Sequence, residues 1–148
     1  DQGPGSFGLE KQLEDFLIEN WDRTSLGRDW TIYSTEGELL AGNQFPTEVG
    51  PIDILARHRK ESRWLILELK RNQTSDQTIG QALRYTAWVQ RNLAAPGESV
   101  EALIVAHRMD KQGAYALTCV PGVKAMLYEA EFRLREFDPE RLISQANE

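Results

Sequence analysis

Cysteine is nearly absent from this 148-residue sequence. The single one, Cys119, leaves no internal disulfide framework and no multi-cysteine zinc site, which fits a reducing, cytoplasmic location. Long apolar runs are missing too. The longest lies near Trp64 to Leu67, well short of the roughly 20 apolar residues of a membrane span, and no secretory apolar segment stands at the start. Positive charge is scarce: 17 Lys and Arg against 23 Asp and Glu give a net charge of −6 and a pI near 5.0. Taken whole, that balance argues against a partner rich in phosphate, because such binding draws on basic side chains. The distribution is uneven, however. From Asp1 to Ala56 there are 3 basic residues against 11 acidic, from Arg57 to Lys111 there are 10 against 6, and from Gln112 onward 4 against 6. The middle third is therefore basic, either as a phosphate-binding face or as an ordinary solvated surface.

What is present fits one domain, since 148 residues with 41% apolar side chains suffice for one core and not comfortably for two. Asp1 to Ser6, with Gly3-Pro4-Gly5-Ser6, resembles the remnant of a cloning site. The domain is expected over residues 7–137, with a polar tail over 138–148. Leu9, Leu13, Phe16 and Leu17 recur at helical spacing and predict a helix from Leu9 to about Asn20, carrying Glu10 and Glu14 one turn apart. Trp30 to Ser34 reads as a strand, Glu36-Gly37-Glu38 as a turn, and Leu39 to Thr47 as a second extended stretch. Gly50-Pro51 breaks the chain before Ile52 to Ala56 and Trp64 to Lys70, two strands joined by the polar turn Arg57 to Arg63. Thr74, Ser75 and Asp76 offer N-caps to a helix ending near Leu93, with Ile79, Leu83, Ala87 and Val89 as its apolar stripe and Pro96-Gly97 beyond it. Ala102 to Ala106 predicts a strand, Lys111 to Cys119 a short helix with Cys119 buried on its apolar side, and Val123 to Tyr128 a strand. Phe132, Leu134 and Phe137 alternate with charges and predict one more. This order suggests an α/β fold with a mixed central sheet flanked by helices.

In Trp64-Leu65-Ile66-Leu67-Glu68-Leu69-Lys70 the side chains alternate, so Leu65, Leu67 and Leu69 share one face and Trp64, Ile66, Glu68 and Lys70 the other. Both faces begin apolar, which is the pattern of a strand buried on two sides. A carboxylate and an ammonium at its end cost several kcal/mol unless partners or a metal compensate. Asp53, between Ile52 and Ile54, poses the same question on the neighbouring strand. For a lone Glu-x-Lys on a strand, a structural Glu68–Lys70 ion pair is a commoner answer than a catalytic site. His58 and His107 are isolated from other metal-ligating residues, and no glycine-rich phosphate loop occurs.

Gly50-Pro51-Ile52-Asp53-Ile54-Leu55, then Glu68-Leu69-Lys70 fifteen residues after the aspartate, then Gln81-Ala82-Leu83-Arg84-Tyr85, together resemble the PD-(D/E)XK nuclease superfamily, in which an Asp and a Glu-x-Lys are often followed by Gln-x-x-x-Tyr on a helix, as in RecB-like nucleases. The sequence is similar above all to the nuclease domain of the NucS/EndoMS mismatch endonucleases, through Leu9 to Leu17, Gly50 to Leu55, Leu67 to Arg71 and Ser75 to Val89, and more weakly through Val123 to Leu134. Ile52 replaces the proline of the superfamily's name and leaves the acid in place. The separate N-terminal DNA-binding and dimerising domain of such enzymes has no counterpart here.

The resemblance implies a restriction-endonuclease-like αβββαβ core and a Mg²⁺- or Mn²⁺-dependent DNA endonuclease acting on mismatched, branched or single-stranded DNA, with a homodimer formed through parts outside this sequence. Asp53 and Glu68 would be metal ligands, joined by the Leu69 carbonyl; Mg²⁺ accepts so few because it keeps several waters. Lys70 would orient the attacking water or stabilise transition-state charge. Glu14, or Glu10 one turn earlier, and Gln81 would support the metal or its water, and Arg71, Arg84 and Tyr85 would contact phosphate. Each of these also has a plain reading, as a solvated glutamate, a packed tyrosine or surface arginines. Two other classes stay open: a catalytically silent nuclease-like module that binds DNA or a protein, and an α/β interaction domain in which Glu68 and Lys70 merely pair.

Overall fold

A strand that is apolar on both faces must be covered on both, and the surrounding elements do this. The computed structural model describes residues 4–74, 76–129 and 133–145, excepting the side chains of 4–9 and 72–74. Helix α1 (Pro4–Glu19) and two short 3-10 turns precede strands β1 (Trp30–Ile32), β2 (Asn43–Phe45), β3 (Ile52–His58) and β4 (Arg63–Thr74). Helix α2 (Asp76–Asn92), β5 (Ser99–Met109), α3 (Lys111–Leu117), β6 (Val123–Leu127) and α4 (Pro139–Ser144) follow. One mixed sheet results, ordered β1-β3-β4-β5-β6 with β2 also paired to β3. β3 is antiparallel to β1, β2 and β4, whereas β5 runs parallel to β4 and β6 parallel to β5. Parallel neighbours need a crossover, and α2 and α3 supply the two.

The period-2 pattern of β4 sorts the core into two layers. Trp64 and Ile66 pack with Ile79, Ala82, Tyr85 and Val89 of α2, while Leu65, Leu67 and Leu69 pack with Leu17 of α1, Trp21 and Trp30. Fully buried Ile54, Leu55, Ile66 and Leu67 each contribute about 2 kcal/mol of transfer free energy. This is the α/β sheet flanked by helices that the sequence implied.

Several local expectations are corrected. Phe16 is 58% exposed, and α1 turns Leu13, Glu14, Leu17 and Ile18 inward instead; the Leu9 side chain lies outside the described ones. On α2 the buried face is Thr78, Ile79, Ala82, Tyr85 and Val89, with Leu83 and Ala87 outside. Only Asn43–Phe45 of the extended stretch from Leu39 forms a strand. Cys119 is exposed, because the helix ends at Leu117 and the cysteine falls in the turn after it. Phe132 lies outside the described residues; residues 133–138 carry no strand, Leu134 and Phe137 are exposed, and the expected polar tail holds α4. Among the described residues no helix is long and apolar enough to cross a membrane.

Candidate active site

The β3–β4 ladder pairs Ile54 with Leu67, and one step outward the same antiparallel register sets Asp53 opposite Glu68. Directly opposed residues share a face, so two carboxyl groups are brought together where the ladder ends. Glu68 is 2% exposed and continues the row of Trp64 and Ile66. Its Oε1 is buried without a hydrogen-bond partner. Burial, followed by the Asp53 charge, pushes its carboxyl up to about 8, against the opposing pull of Lys70 and the Asp53 main-chain N–H. Asp53 is better provided for: the Leu69 N–H donates to Oδ2 at 2.8 Å and Gln44 Nε2 to Oδ1 at 3.2 Å. Burial still raises it above the ordinary aspartate value, with those two donors and Lys70 holding it down. Lys70, half-buried, follows Glu68 on the same strand face; no ion pair joins the two among the described residues. The structural ion pair that competed with a functional reading is therefore not formed. Just past Lys70 the β4–β5 register shifts, an irregularity that bends the strand end.

Two helices close on this point. From α1, Glu14 is 5% exposed and accepts Gln44 Nε2 on Oε2 at 2.7 Å. Glu10, one turn earlier, accepts the Arg71 N–H at 3.4 Å. Glu10, Lys11, Glu14, Gln44, Asp53 and Leu69 line a cavity of about 310 Å³. From α2, Tyr85 is buried and accepts Gln81 Nε2 at 3.3 Å. Burial raises its hydroxyl, and the Glu68 and Asp53 charges add to this, so both lie within electrostatic reach. Glycine at position 50 gives the Tyr85 hydroxyl room: Gly50 has φ 117°, and a Cβ there would stand 2.9 Å from the tyrosine oxygen.

Glu14, Asp53, Glu68, Leu69, Lys70, Gln81 and Tyr85 thus gather at one end of the sheet. Arg84 is exposed on α2 beside Tyr85, and Arg71 is half-buried with its carbonyl accepting the Tyr128 hydroxyl at 2.7 Å. The basic middle third is not one face. Arg57 pairs with Glu98 at 2.8 Å, Arg63 with Glu61 and Glu101, and Arg59 with Asp22, all toward the opposite end. There a larger cavity of about 450 Å³, lined by Arg57, Trp64 and Glu98 among others, already has its charges matched. Gln44 and Lys11 were missed: Gln44 stands in a loop-rich stretch without a motif, and Lys11 reads as a helix-surface lysine, paired to Glu14 at 3.4 Å and Asp15 at 3.1 Å.

With this geometry in view, the profile of the endonuclease NucS C-terminal domain matches residues 10–147. The chain belongs to the NucS C-terminal domain family. Its fold is similar to that of an EndoMS–dsDNA2 complex, with TM-score 0.62 and 18% identity over 84% of this chain and 46% of that one. It is also similar to a repair endonuclease from Pyrococcus abyssi (TM-score 0.60, 16% identity, 87% and 48% covered) and to EndoMS in apo form (0.59, 20%, 83% and 47%). The chain spans about half the length of these structures, and at such identities the likeness is one of fold. No curated protein matches the sequence. The NucS family match runs through α4, so the stretch after Asp138 is part of the matched region.

In this NucS-family domain no group of three or more His, Cys, Asp or Glu side chains among the described residues is arranged to hold a metal. The fit of a divalent cation therefore rests on two carboxylates. A buried carboxyl oxygen without a donor is what a cation beside it would relieve, and Glu68 Oε1 is that oxygen. Asp53 retains free lone pairs after its two hydrogen bonds, since a carboxylate has about four acceptor sites. Oxygen donors of this kind suit Mg²⁺ or Mn²⁺.

Proposed function

We propose that this chain is a Mg²⁺- or Mn²⁺-dependent endonuclease domain of the PD-(D/E)XK kind that hydrolyses phosphodiester bonds in DNA. The observation that carries this is the unpartnered, buried Glu68 Oε1 opposite Asp53, with Lys70, which forms no ion pair among the described residues, next on the same strand face. Asp53 and Glu68 hold the cation, with the Leu69 carbonyl as a third oxygen. Two carboxylates suffice, because Mg²⁺ is commonly bound by one or two together with substrate phosphate and water. When bound, the cation supplies Lewis acidity toward the phosphoryl oxygens and lowers the pKa of water. Lys70 orients the attacking water or stabilises charge on the phosphoryl group. Gln81 and Glu14 hold water at the site, and Tyr85, Arg71 and Arg84 steady the phosphates.

DNA as the partner is supported by the family's name and by the EndoMS–dsDNA2 complex. Mismatched, branched or single-stranded DNA is the substrate class we favour. One chain offers one site, so cutting both strands calls for a second copy across a two-fold axis or a second visit. The rival, a silent DNA- or protein-binding module, draws on the absence of a larger acidic cluster and on a Glu68 carboxyl that keeps its proton at neutral pH. Incubation with linear, nicked, mismatched and single-stranded DNA in Mg²⁺, Mn²⁺ or EDTA separates the two. Cleavage that EDTA abolishes supports the enzyme, and binding without cleavage under every condition supports the module.

A further inference from the structure

Gln44 has φ 51° in β2, where its neighbours Asn43 and Phe45 pair with Ile54 and Ile52. That left-handed backbone is unfavourable for a side chain of this shape, and it sets Gln44 opposite Asp53. Its single Nε2 donates to both Glu14 Oε2 at 2.7 Å and Asp53 Oδ1 at 3.2 Å. The amide orientation is forced, because the flipped form would aim its oxygen at two carboxylates. No hydrogen bond or ion pair among the described residues joins Glu14 directly to Asp53, Glu68 or Lys70. The amide is thus the described hydrogen-bonded link between Glu14 of α1 and Asp53 of the sheet, beside the direct repulsion between their charges.

We propose that Gln44 is a positioning residue: it fixes Asp53 Oδ1 in the orientation that leaves its free lone pairs to a cation, and Glu14 supports that orientation through its own bond to the amide. This rests on Asp53 being a metal ligand. Outer partners of metal-binding carboxylates orient them, and losing one lowers metal affinity. Gln44 is exposed, so Gln44→Met, which keeps the length and removes the donors, is expected to fold.

Calorimetric Mn²⁺ titration of the wild type, Gln44→Met, Glu14→Gln and the double variant provides the test, with thermal unfolding as the check on folding. We expect Gln44→Met to weaken Mn²⁺ binding about 10- to 100-fold in a protein that still unfolds cooperatively, with the double variant losing less than the product of the two single losses. Wild-type affinity in Gln44→Met overturns the role of Gln44 while leaving the metal site standing. Losses that multiply in full in the double variant overturn the claim that Glu14 supports Asp53 through Gln44. A wild type that binds no Mn²⁺ overturns both this role and the metal reading beneath it. Gln44→Ala replaces Gln44→Met if the latter fails to fold, with the same outcomes.

Discussion

Glu68→Gln removes a buried carboxyl whose Oε1 has no hydrogen-bond partner, while preserving side-chain shape. Between its ordinary value of 4.5 and the folded value of about 8, the folded protein holds a proton that the unfolded chain has released. Stability must then fall as pH rises through that window, by up to about 1.4 kcal/mol per pH unit. Summed from 4.5 to about 8, the loss reaches about 5 kcal/mol as an upper limit. That is comparable with the whole stability of many domains, so it is measurable. In EDTA at about pH 5, where Glu68 is largely protonated, wild type and Glu68→Gln should unfold in urea at similar concentrations. At about pH 9 the variant should be the more stable by several kcal/mol, roughly 3 to 5. Asp53, raised in the same direction, remains in both proteins and adds a common slope. Saturating Mn²⁺ should shrink the wild-type loss at high pH, since a bound cation favours the charged carboxylate. Parallel stability curves for the two proteins across this range would refute the claim that burial and Asp53 raise Glu68.

Asp53→Asn should weaken Mn²⁺ binding in calorimetry and, by removing one of two facing carboxylates, stabilise the metal-free protein; equal Mn²⁺ affinity would move the ligand elsewhere. Gly50→Ala meets both the positive φ and the Tyr85 hydroxyl, so it should destabilise by about 1 to 3 kcal/mol in urea unfolding, and Tyr85→Phe should recover only the part owed to the hydroxyl because the positive φ remains; a neutral Gly50→Ala contradicts that strain. DNA binding should be measurable only at low ionic strength, because the chain carries a net charge of −6 and Arg57, Arg59 and Arg63 are paired with acids far from the site; a steep salt slope from many contacts would refute it.

Much of the fold was legible because β4 is unambiguous: both parities of Trp64 to Leu69 are apolar, and only a strand covered on two faces accommodates that. Asp53, Glu68 and Lys70 stood out as polar groups on such strands, and it was their spacing from one another and from Gln81 and Tyr85, with the resemblance it carries, that singled them out as a candidate site. The α2 face was misjudged because Leu83 outranks Thr78 and Tyr85 in apolarity, yet Tyr85 fills the space that Gly50 leaves open. Alternation alone at Phe132 to Phe137 predicted a strand, but residues 133–138 form none and Leu134 and Phe137 are exposed, because alternation without a buried face does not hold a strand to a sheet. Gln44 was invisible because its role depends on a left-handed backbone and on contacts to residues 30 and 9 positions away. The basic middle third read as a possible phosphate face, and charge counting cannot see that three of its arginines are already spoken for.

The most direct test of the central claim is the rate of mismatched-duplex cleavage in Mn²⁺ by wild type and by Lys70→Ala, each shown folded by its unfolding transition and each repeated in EDTA. We expect wild-type cleavage that EDTA abolishes and a loss of at least about 100-fold in Lys70→Ala, the scale of removing one charge-stabilising group. Equal rates in the two proteins, or cleavage that persists in EDTA, would contradict the assignment of Lys70, Glu68 and Asp53 as a metal-dependent nuclease site.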